Sequence, residues 1–530
     1  MNSNRSEYQD FDFPIQEAGH VQHNKRTEND DEFDLEFNVQ RVKSPNCCCC
    51  SCCLGCFGLA LFIVLAVFGF WYSMFTGAVP LIVSPATTVI VGPLKADGTV
   101  DFHQALQDKI EPDIPIGENG FRAVLSGYGR AIFEVFNLHI QEPMAGPNFD
   151  WQYLEMCRAL NVDPATPPTL RMTAQRDAPN FEHWLGEIGE GLDVVQTAVG
   201  KQHYFVPMVR RDENDLIMMT HPIAVYQFHE ELSNALRSRA RHRFEQQQFS
   251  EGWKDMLASI RLFRFVTIKE AYKDALRRGD EGKNWLLLPV ASVVNTLEHW
   301  TPEQLEQAVK DLESLPDWQN WRTMLTVMQF QLLDFVSATN NLENLHRRLE
   351  GMAAIPMISF DWNHIAIELN REIEAYAQLL ETAAGKSIEE QFEMLNLRLP
   401  GETSNMPLNF SSKIEDWAES LGNFMADQIE ATGDLSLNPF LASGRSRLIG
   451  AFIGQRLVPW ATGEMYRLQL IEEARCQALR LAIALELFKR KNGHYPESLE
   501  ELGLITMEPA VQFEYERQGG EYRLENKLFR

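Results

Sequence analysis

The sequence predicts a mainly α-helical protein with a single transmembrane helix near its N-terminus and a small α+β module at its C-terminus. Three observations predict this fold class. An apolar stretch, 54–75, lies in a charge-free interval between Lys43 and Lys95 and predicts the transmembrane helix. From Pro222 onward, apolar residues recur at helical spacing. Near the C-terminus, apolar and polar residues alternate as they do in strands. With 530 residues, of which 45% are hydrophobic and 23% charged, the chain is long enough to bury a large core.

The first segment, residues 1–46, holds ten acidic and five basic residues and few aliphatic ones. This composition predicts a disordered, acidic cytoplasmic tail. The remaining chain has 64 acidic and 43 basic residues, and the whole chain has a net charge of −26. Such an acidic balance argues against a nucleic-acid partner and suits a soluble body that is kept off an anionic membrane surface.

Residues 54–78 are predicted to form the transmembrane helix. The 22 residues of 54–75 would extend about 33 Å as a helix, which is enough to cross a bilayer. Arg41 and Lys43 precede the span and no cation follows it before Lys95, which places the N-terminus in the cytoplasm. Interfacial aromatic residues lie at its C-terminal end: Trp71, Tyr72 and Phe75. We therefore expect a single-pass protein of the cell (inner) membrane, with a periplasmic or extracytoplasmic body and the lipid bilayer as a partner.

A run of cysteines precedes the span, and seven of the nine cysteines of the chain lie within residues 47–56. Cys53 and Cys56 have the C-x-x-C spacing of zinc or iron–sulfur ligands and are the candidate metal ligands. Acylation of juxtamembrane cysteines is a second interpretation, and small apolar side chains at the membrane boundary are a third. We favour the third because adjacent cysteines cannot all point at one ion, and we expect no cofactor.

Residues 79–220 are predicted to be a mixed N-terminal region of the ectodomain. Its first part, 79–93, is β-branched and interrupted by prolines, which predicts an extended stalk or a first strand. A helical pattern follows over 101–136, and the proline-rich part 143–179 predicts irregular packing. Residues 204–209 resemble a short strand or an extended passage.

Residues 221–460 are predicted to be helical. Thr301 and Gln304 form a capping box at a helix start, and Pro316 ends that helix. Ser250 is the predicted N-cap of the second helix of a hairpin that resembles one tetratricopeptide unit, although no repeat of fixed period is present. Further helices are predicted near 320–350, 363–384 and 413–430.

Residues 461–530 are predicted to form a C-terminal module of a helix and a β-hairpin. The helix begins near Glu464 and ends in three cations followed by Gly493, because cations offset the helix dipole and glycine permits a left-handed cap. Pro496 begins a short helix. Beyond it, alternating apolar residues flank Gly519 and Gly520, which predicts the hairpin.

Two resemblances to known families accompany these patterns. The segment 478–502, which contains Gly493-His494-Tyr495-Pro496, is similar to a helix-Gly-x-Tyr-Pro element of type II secretion pseudopilins, but the chain lacks the pseudopilin processing site. The ectodomain resembles uncharacterised single-pass membrane proteins of planctomycete-type bacteria, which implies an anchored helical protein without an assigned activity. This resemblance rests on five motifs: residues 117–122, 163–168, 204–207, 252–257 and 493–496.

The sequence contains no complete catalytic or phosphate-binding motif. Ala384-Gly385-Lys386-Ser387 ends like a P-loop, but Leu380 stands where the first glycine is required, so we interpret it as a chance match. His364 and Glu368 share a helix face, which is more typical of a surface contact than of a metal site. Four arginines predict a solvated face: Arg237, Arg239, Arg241 and Arg243. Six tryptophans are expected to fill the core: Trp253, Trp285, Trp300, Trp318, Trp321 and Trp362.

The function predicted from these observations is that of a membrane-anchored extracytoplasmic interaction or scaffold protein with a protein partner. No catalytic or cofactor-binding residue is assigned. The alternative is a hydrolase of envelope polymers that uses acidic residues in a cleft of the ectodomain, because paired carboxylates can perform such chemistry.

Overall fold

The computed structural model describes residues 79–110, 115–133, 150–170, 181–212, 215–217, 223–278, 290–316, 321–338, 360–395, 423–428, 430–431, 437, 442–503, 513–519 and 521–525. All of them belong to the compact unit Leu65–Arg530. The predicted tail (1–46), the cysteine run (47–56) and the predicted span (54–78) lie outside these residues. Within the described ranges, no helix combines the length and the apolar character needed to cross a membrane.

The described part of the chain is mainly helical, as predicted. In chain order its helices are α1 (Phe102–Ile110), α2 (Gly120–Tyr128), α3 (Asp150–Ala159), α4 (Phe181–Val199), α5 (Ile223–Glu245), α6 (Phe249–Arg278), α7 (Val290–Val294), α8 (Pro302–Glu313), α9 (Trp321–Ala338), α10 (Trp362–Ala384), α11 (Ile388–Met394), α12 (Ala442–Phe452) and α13 (Val458–Asn492). Short 3-10 turns lie at Ile116–Glu118, Leu297–His299 and Leu499–Leu502. The strands are β1 (Glu514–Gln518) and β2 (Glu521–Glu525).

Three apolar clusters hold these helices together. The first joins α2, α3 and α4 to the inner faces of α5 and α6. The second joins α1, α9, α10 and the first turns of α13. The third lies between the adjoining ends of α5 and α6, α7, α8 and the middle of α13. Helix α13 therefore contributes to both the second and the third cluster and connects them.

The predicted hairpin is formed by α5 and α6, which pack along each other. Glycine is required at position 252, because a Cβ there would lie 2.6 Å from the ring of Phe244. The predicted cap at Ser250 is wrong, since α6 already begins at Phe249. The Ser250 hydroxyl instead accepts a hydrogen bond from Gln304 Nε2 at 2.8 Å and so ties the hairpin to α8.

Two helix starts follow the capping chemistry of the sequence. Thr301 caps α8, and Gln304 completes the predicted capping box. Ser387 caps α11 in the same way, with Glu390 as its partner. The P-loop-like residues 384–387 are thus a linker between α10 and α11, which agrees with the interpretation as a chance match.

The C-terminal helix α13 is longer than predicted. It begins at Val458, directly after a π-helical turn (Ile453–Leu457), and it ends where expected, with Gly493 at φ 80°. The predicted hairpin is confirmed as the antiparallel pair β1–β2. Its Tyr515 hydroxyl donates to the Pro496 carbonyl at 2.8 Å, so the hairpin is held against the Gly-His-Tyr-Pro element.

The residues predicted as a strand or an extended passage, 204–209, form no strand. They are held by Asn119, the N-cap of α2, whose side chain bonds both to Phe121 N and to the backbone of Phe205. Gly120 permits this contact because a Cβ there would overlap the carbonyl of Ala198. Two of the motifs that carry the planctomycete resemblance, 117–122 and 204–207, therefore contact each other.

Candidate functional site

The connecting segment, residues 79–101, joins the predicted membrane span to the helical body. Its first part, 79–93, was predicted to be an extended stalk or a first strand, and it lies on helix α10. Val79 exchanges backbone hydrogen bonds with the chain just before that helix, donating to Phe360 O at 3.1 Å and accepting from Trp362 N at 3.2 Å. Ile82 N donates to the side chain of Asn363 at 2.7 Å. The segment is therefore attached to the body from its first described residue.

A tight turn in the middle of the segment continues this attachment. Asn370 Nδ2 donates to the Thr87 carbonyl at 2.9 Å, and the buried Thr88 hydroxyl is bonded to Ser84 O at 2.9 Å and to Ile90 O at 2.6 Å. These bonds hold Val89 at φ 63°, in the left-handed region that β-branched residues rarely adopt. The surrounding structure thus imposes this conformation on the valine.

The side chains of the segment divide into two sets. Leu81, Val83 and Ile90 pack against the second apolar cluster. The neighbouring side chains point to solvent, and the most exposed of them are Ile82 (63%), Val91 (57%) and Leu94 (55%). Because no ionisable residue occurs in 79–94, the outward side is apolar and uncharged. The segment therefore exposes several large apolar side chains with no charged residue between them in the sequence.

Charged side chains fix the end of the segment inside the body. Lys95 is the first charged residue after Lys43, and its ammonium group lies 3.3 Å from Asp334 Oδ1 on α9, with both side chains buried. The other oxygen of Asp334 accepts from Ile217 N at 2.9 Å. Asp334 therefore holds the connecting segment, α9 and the 215–217 loop together.

A second ion pair and a histidine lie beside it. Arg210 Nη1 is 2.7 Å and 2.9 Å from the two oxygens of Asp101. His103, in the first turn of α1, is buried close to Arg210, Asp101 and Lys95. Burial, assisted by the Arg210 cation, lowers the pKa of His103 to about 4. This cluster pairs two cations with two carboxylates around a neutral imidazole. Its charges are therefore compensated, and its contacts connect separate elements of the body.

The arginine cluster of α5 was predicted to be a solvated face, and for most of its members this is wrong. Arg239 is buried and forms a two-bond pair with the fully buried Asp255, at 2.6 Å and 2.9 Å. Arg243 binds the same carboxylate at 2.7 Å, and Arg239 also reaches the exposed Asp193 at 2.8 Å. The network joins α4, α5 and α6. Arg241 is exposed, as predicted.

The remaining arginine, Arg237, lies between the two helices of the hairpin. Its guanidinium donates to Ser259 at 3.0 Å and to Ser233 at 3.0 Å, and the two hydroxyls are 2.8 Å apart. Burial lowers its pKa to about 10, opposed by the charge of Glu472 on α13. Three of the four arginines of α5 therefore form contacts between helices. The sequence does not show this, because their partners lie on other helices.

A buried histidine–tyrosine pair lies at the centre of the first cluster. The Tyr204 hydroxyl is 2.7 Å from His229 Nε2, and Phe121 lies against the imidazole with ring centroids 5.6 Å apart. Full burial lowers the pKa of His229 to about 3. The sequence His229-Glu230-Glu231 begins like the His-Glu-x-x-His motif of zinc proteases, but Ser233 stands where the second histidine is required. Its histidine lies in the core as a neutral ring.

The candidate metal ligands are distributed as follows. Cys53 and Cys56 lie outside the described residues. His364 pairs with Asp361 at 3.3 Å and Glu368 pairs with Arg371 at 2.6 Å, so each of these two α10 side chains has its own partner. In the part of the chain that the structure describes, no group of three histidine, cysteine, aspartate or glutamate side chains could hold a metal ion.

The tryptophans that can be placed belong to the core, as predicted. Trp253 and Trp300 are buried in the third cluster, with ring centroids 5.8 Å apart in an edge-to-face arrangement. Trp253 Nε1 donates to Asp311 at 2.8 Å. Trp321 and Trp362 pack against the second cluster. The other two, Trp285 and Trp318, lie outside the described residues.

Comparisons with protein-family models, with curated proteins and with solved structures find no match.

The residues of the connecting segment were largely missed by sequence reasoning. Lys95 ends a long charge-free interval, and this was the one available signal that it differs from a surface lysine. Asp101, His103, Arg210 and Asp334 have no local pattern that links them. Their partners are more than a hundred residues away in the chain, as in the Arg210–Asp101 pair with its separation of 109.

Proposed function

We propose that this chain is a membrane-anchored extracytoplasmic interaction or scaffold protein whose helical body is attached directly to its membrane anchor. One observation supports this most strongly. The uncharged residues 79–94, which follow the predicted span 54–78, are bonded to α10 on one side and expose apolar side chains on the other. A segment of this kind holds a body at a membrane surface and keeps it in a fixed orientation.

The interaction role is supported by the way in which the body is built. The α5–α6 hairpin is joined to α4 by the Arg239–Asp255 network and to α13 by an ion pair between Arg264 and Glu473 at 3.0 Å. Buried polar contacts of this type favour one arrangement of helices over others. A rigid helical hairpin, similar to a tetratricopeptide unit, can present a helix face to a protein partner.

The hydrolase alternative receives no comparable support. The buried carboxylates Asp101, Asp255 and Asp334 each bind an arginine or a lysine, and each joins separate elements of the body. Carboxylates bound in this way stabilise the fold, whereas a glycoside hydrolase needs two carboxyl groups on either side of a substrate.

Carbonate extraction and external proteolysis of membranes containing the full chain test the anchor and its orientation. The chain should remain in the membrane fraction, and protease added from outside should digest the body while sparing the tail. A body that is protected from external protease would contradict the orientation, and extraction by carbonate would contradict the anchor.

Cross-linking mass spectrometry of the same membranes tests the interaction role. We expect reproducible links from lysines of the hairpin region, such as Lys254 and Lys310, to one other protein. Links confined to the chain itself would contradict the scaffold role. Arginine replacements at both lysines serve as the control, since they keep the charge and remove the reactive amine.

A further inference from the structure

We infer that the exposed apolar side chains of the connecting segment, Ile82, Val91 and Leu94, insert into the interfacial layer of the lipid bilayer and seat the body on the membrane. This inference rests on the proposed membrane anchor. It goes further because it assigns a lipid-binding surface to residues outside the predicted span.

Chain length limits how far these side chains can lie from the bilayer. Only residues 76–78 separate Phe75, the last residue of the apolar run, from Val79, which is bonded to Phe360. Four fully extended residues cover about 14 Å. The headgroup layer beyond the hydrocarbon is about 5–8 Å thick on each side. The surface of the body around Val79 must therefore lie in or next to the headgroups.

An exposed apolar side chain of α10 lies next to the residues that bind the segment. Asn363 and Asn370, which bind the segment, lie on one face of α10, and Ile367 lies between them on the same face with 41% of its surface exposed. Ile367 therefore adds one exposed apolar side chain on the helix to those of the segment. The uncharged residues 79–94 fit the interfacial layer, since acidic residues would be repelled by anionic headgroups.

The backbone at Val89 supports the same occupant. The Thr88 hydroxyl bonds hold this β-branched residue in a left-handed conformation, and its side chain is 39% exposed to solvent. Strain of this kind persists where the surrounding structure requires it, and it is concentrated at functional sites. Here the strained turn lies among exposed apolar side chains. Their exposure becomes favourable when they contact lipid instead of water.

Photo-cross-linking of the full chain in nanodiscs of phosphatidylethanolamine and phosphatidylglycerol tests the inference. Benzoylphenylalanine is placed at position 82, at position 91 or, as a matched control, at position 154. Leu154 is an exposed leucine on α3, which packs on the first cluster and not on the second. We expect lipid adducts at positions 82 and 91 at least tenfold more often than at 154.

Lipid adducts at positions 82 and 91 that are no more frequent than at 154 would overturn the inference, and so would adducts to protein in their place. Carbonate extraction of the same chain from membranes distinguishes a failure of the lipid-binding surface from a failure of the membrane anchor. A retained chain without lipid adducts contradicts the lipid-binding surface alone. A chain that carbonate releases contradicts the anchor, and the inference then fails with it.

A substitution gives an independent readout. The double change Ile82→Asp and Val91→Asp should reduce lipid adducts at position 94 at least fivefold, because it places two charges in the interfacial layer. Leu154→Asp, with the probe again at position 94, should leave the yield unchanged. Equal yields of lipid adducts in the double variant and the wild type would contradict the proposed lipid-binding surface.

Discussion

The ammonium group of Lys95 lies 3.3 Å from the carboxylate of Asp334, a residue 239 positions later in the chain. Both side chains are buried, so the first charge after the predicted membrane span is neutralised inside the helical body. The pair marks the point at which the connecting segment becomes part of that body.

Asp334→Asn should destabilise the body by about 3–5 kcal/mol, because it leaves the Lys95 charge buried without a partner. Urea unfolding of the full chain, followed by tryptophan fluorescence, measures this change. The double variant Lys95→Met and Asp334→Leu removes both charges and should recover at least half of the loss. A single variant as stable as the wild type would show that the pair is not buried in solution.

Asp255→Asn and Asp193→Asn form a matched pair, since both carboxylates bind Arg239 but only Asp255 is buried. Loss of the Asp255 charge strands two guanidinium groups and should cost about 3–5 kcal/mol. Loss of the exposed Asp193 charge should cost less than about 1 kcal/mol, because solvent screens it. The same unfolding experiment compares them, and equal costs would contradict the assigned burial.

Acid should destabilise the fold through His103 and His229. Unfolded histidine has a pKa near 6.5, and burial lowers the pKa of these residues to about 4 and about 3. The unfolded chain therefore binds more protons between pH 6.5 and 4, so stability falls as the pH falls through this window. The His103 contribution is about 3 kcal/mol, from about 1.4 kcal/mol for each pKa unit.

The variant His103→Leu checks that contribution. It removes the titratable ring, so it should flatten the dependence of unfolding free energy on pH between 6.5 and 4. Urea unfolding at several pH values gives this dependence. An unchanged slope would show that His103 titrates normally in the folded state.

Val89→Gly should raise the free energy of unfolding by up to about 1 kcal/mol, because glycine adopts φ 63° without strain. The larger entropy of glycine in the unfolded chain limits the gain. Val91→Gly is the control, since Val91 does not have a positive φ and should lose stability. A loss at both positions would contradict the strained turn.

Helix caps and turns could be predicted from the sequence because their signals lie within a few neighbouring residues. The Thr301 capping box, the left-handed Gly493 and the hairpin around Gly519 are encoded within a few residues of one another, and the structure confirms each. Helix α13 was predicted to begin near Glu464 and begins at Val458, because the preceding π-helical turn continues the helical chain without a capping signal.

The candidate site was hidden because its contacts are distant in the chain. Asn363 and Asn370 look like surface polar residues of a helix, and nothing near them in sequence indicates that they bind residues more than 280 positions earlier. The arginines of α5 were misread for the same reason. Arg239 is buried only because Asp255 and Asp193 approach it from two other helices.

Hydrogen exchange of the connecting segment, measured by mass spectrometry on the full chain in nanodiscs, tests most directly whether this segment is attached rigidly to the helical body. Backbone amides of Val79, Ile82, Thr88 and Asp101 donate hydrogen bonds and should exchange at least a hundredfold more slowly than unprotected amides. In Asp334→Asn, protection near Lys95 should fall first. Exchange of the whole segment at unprotected rates would show a free stalk and contradict the proposed attachment.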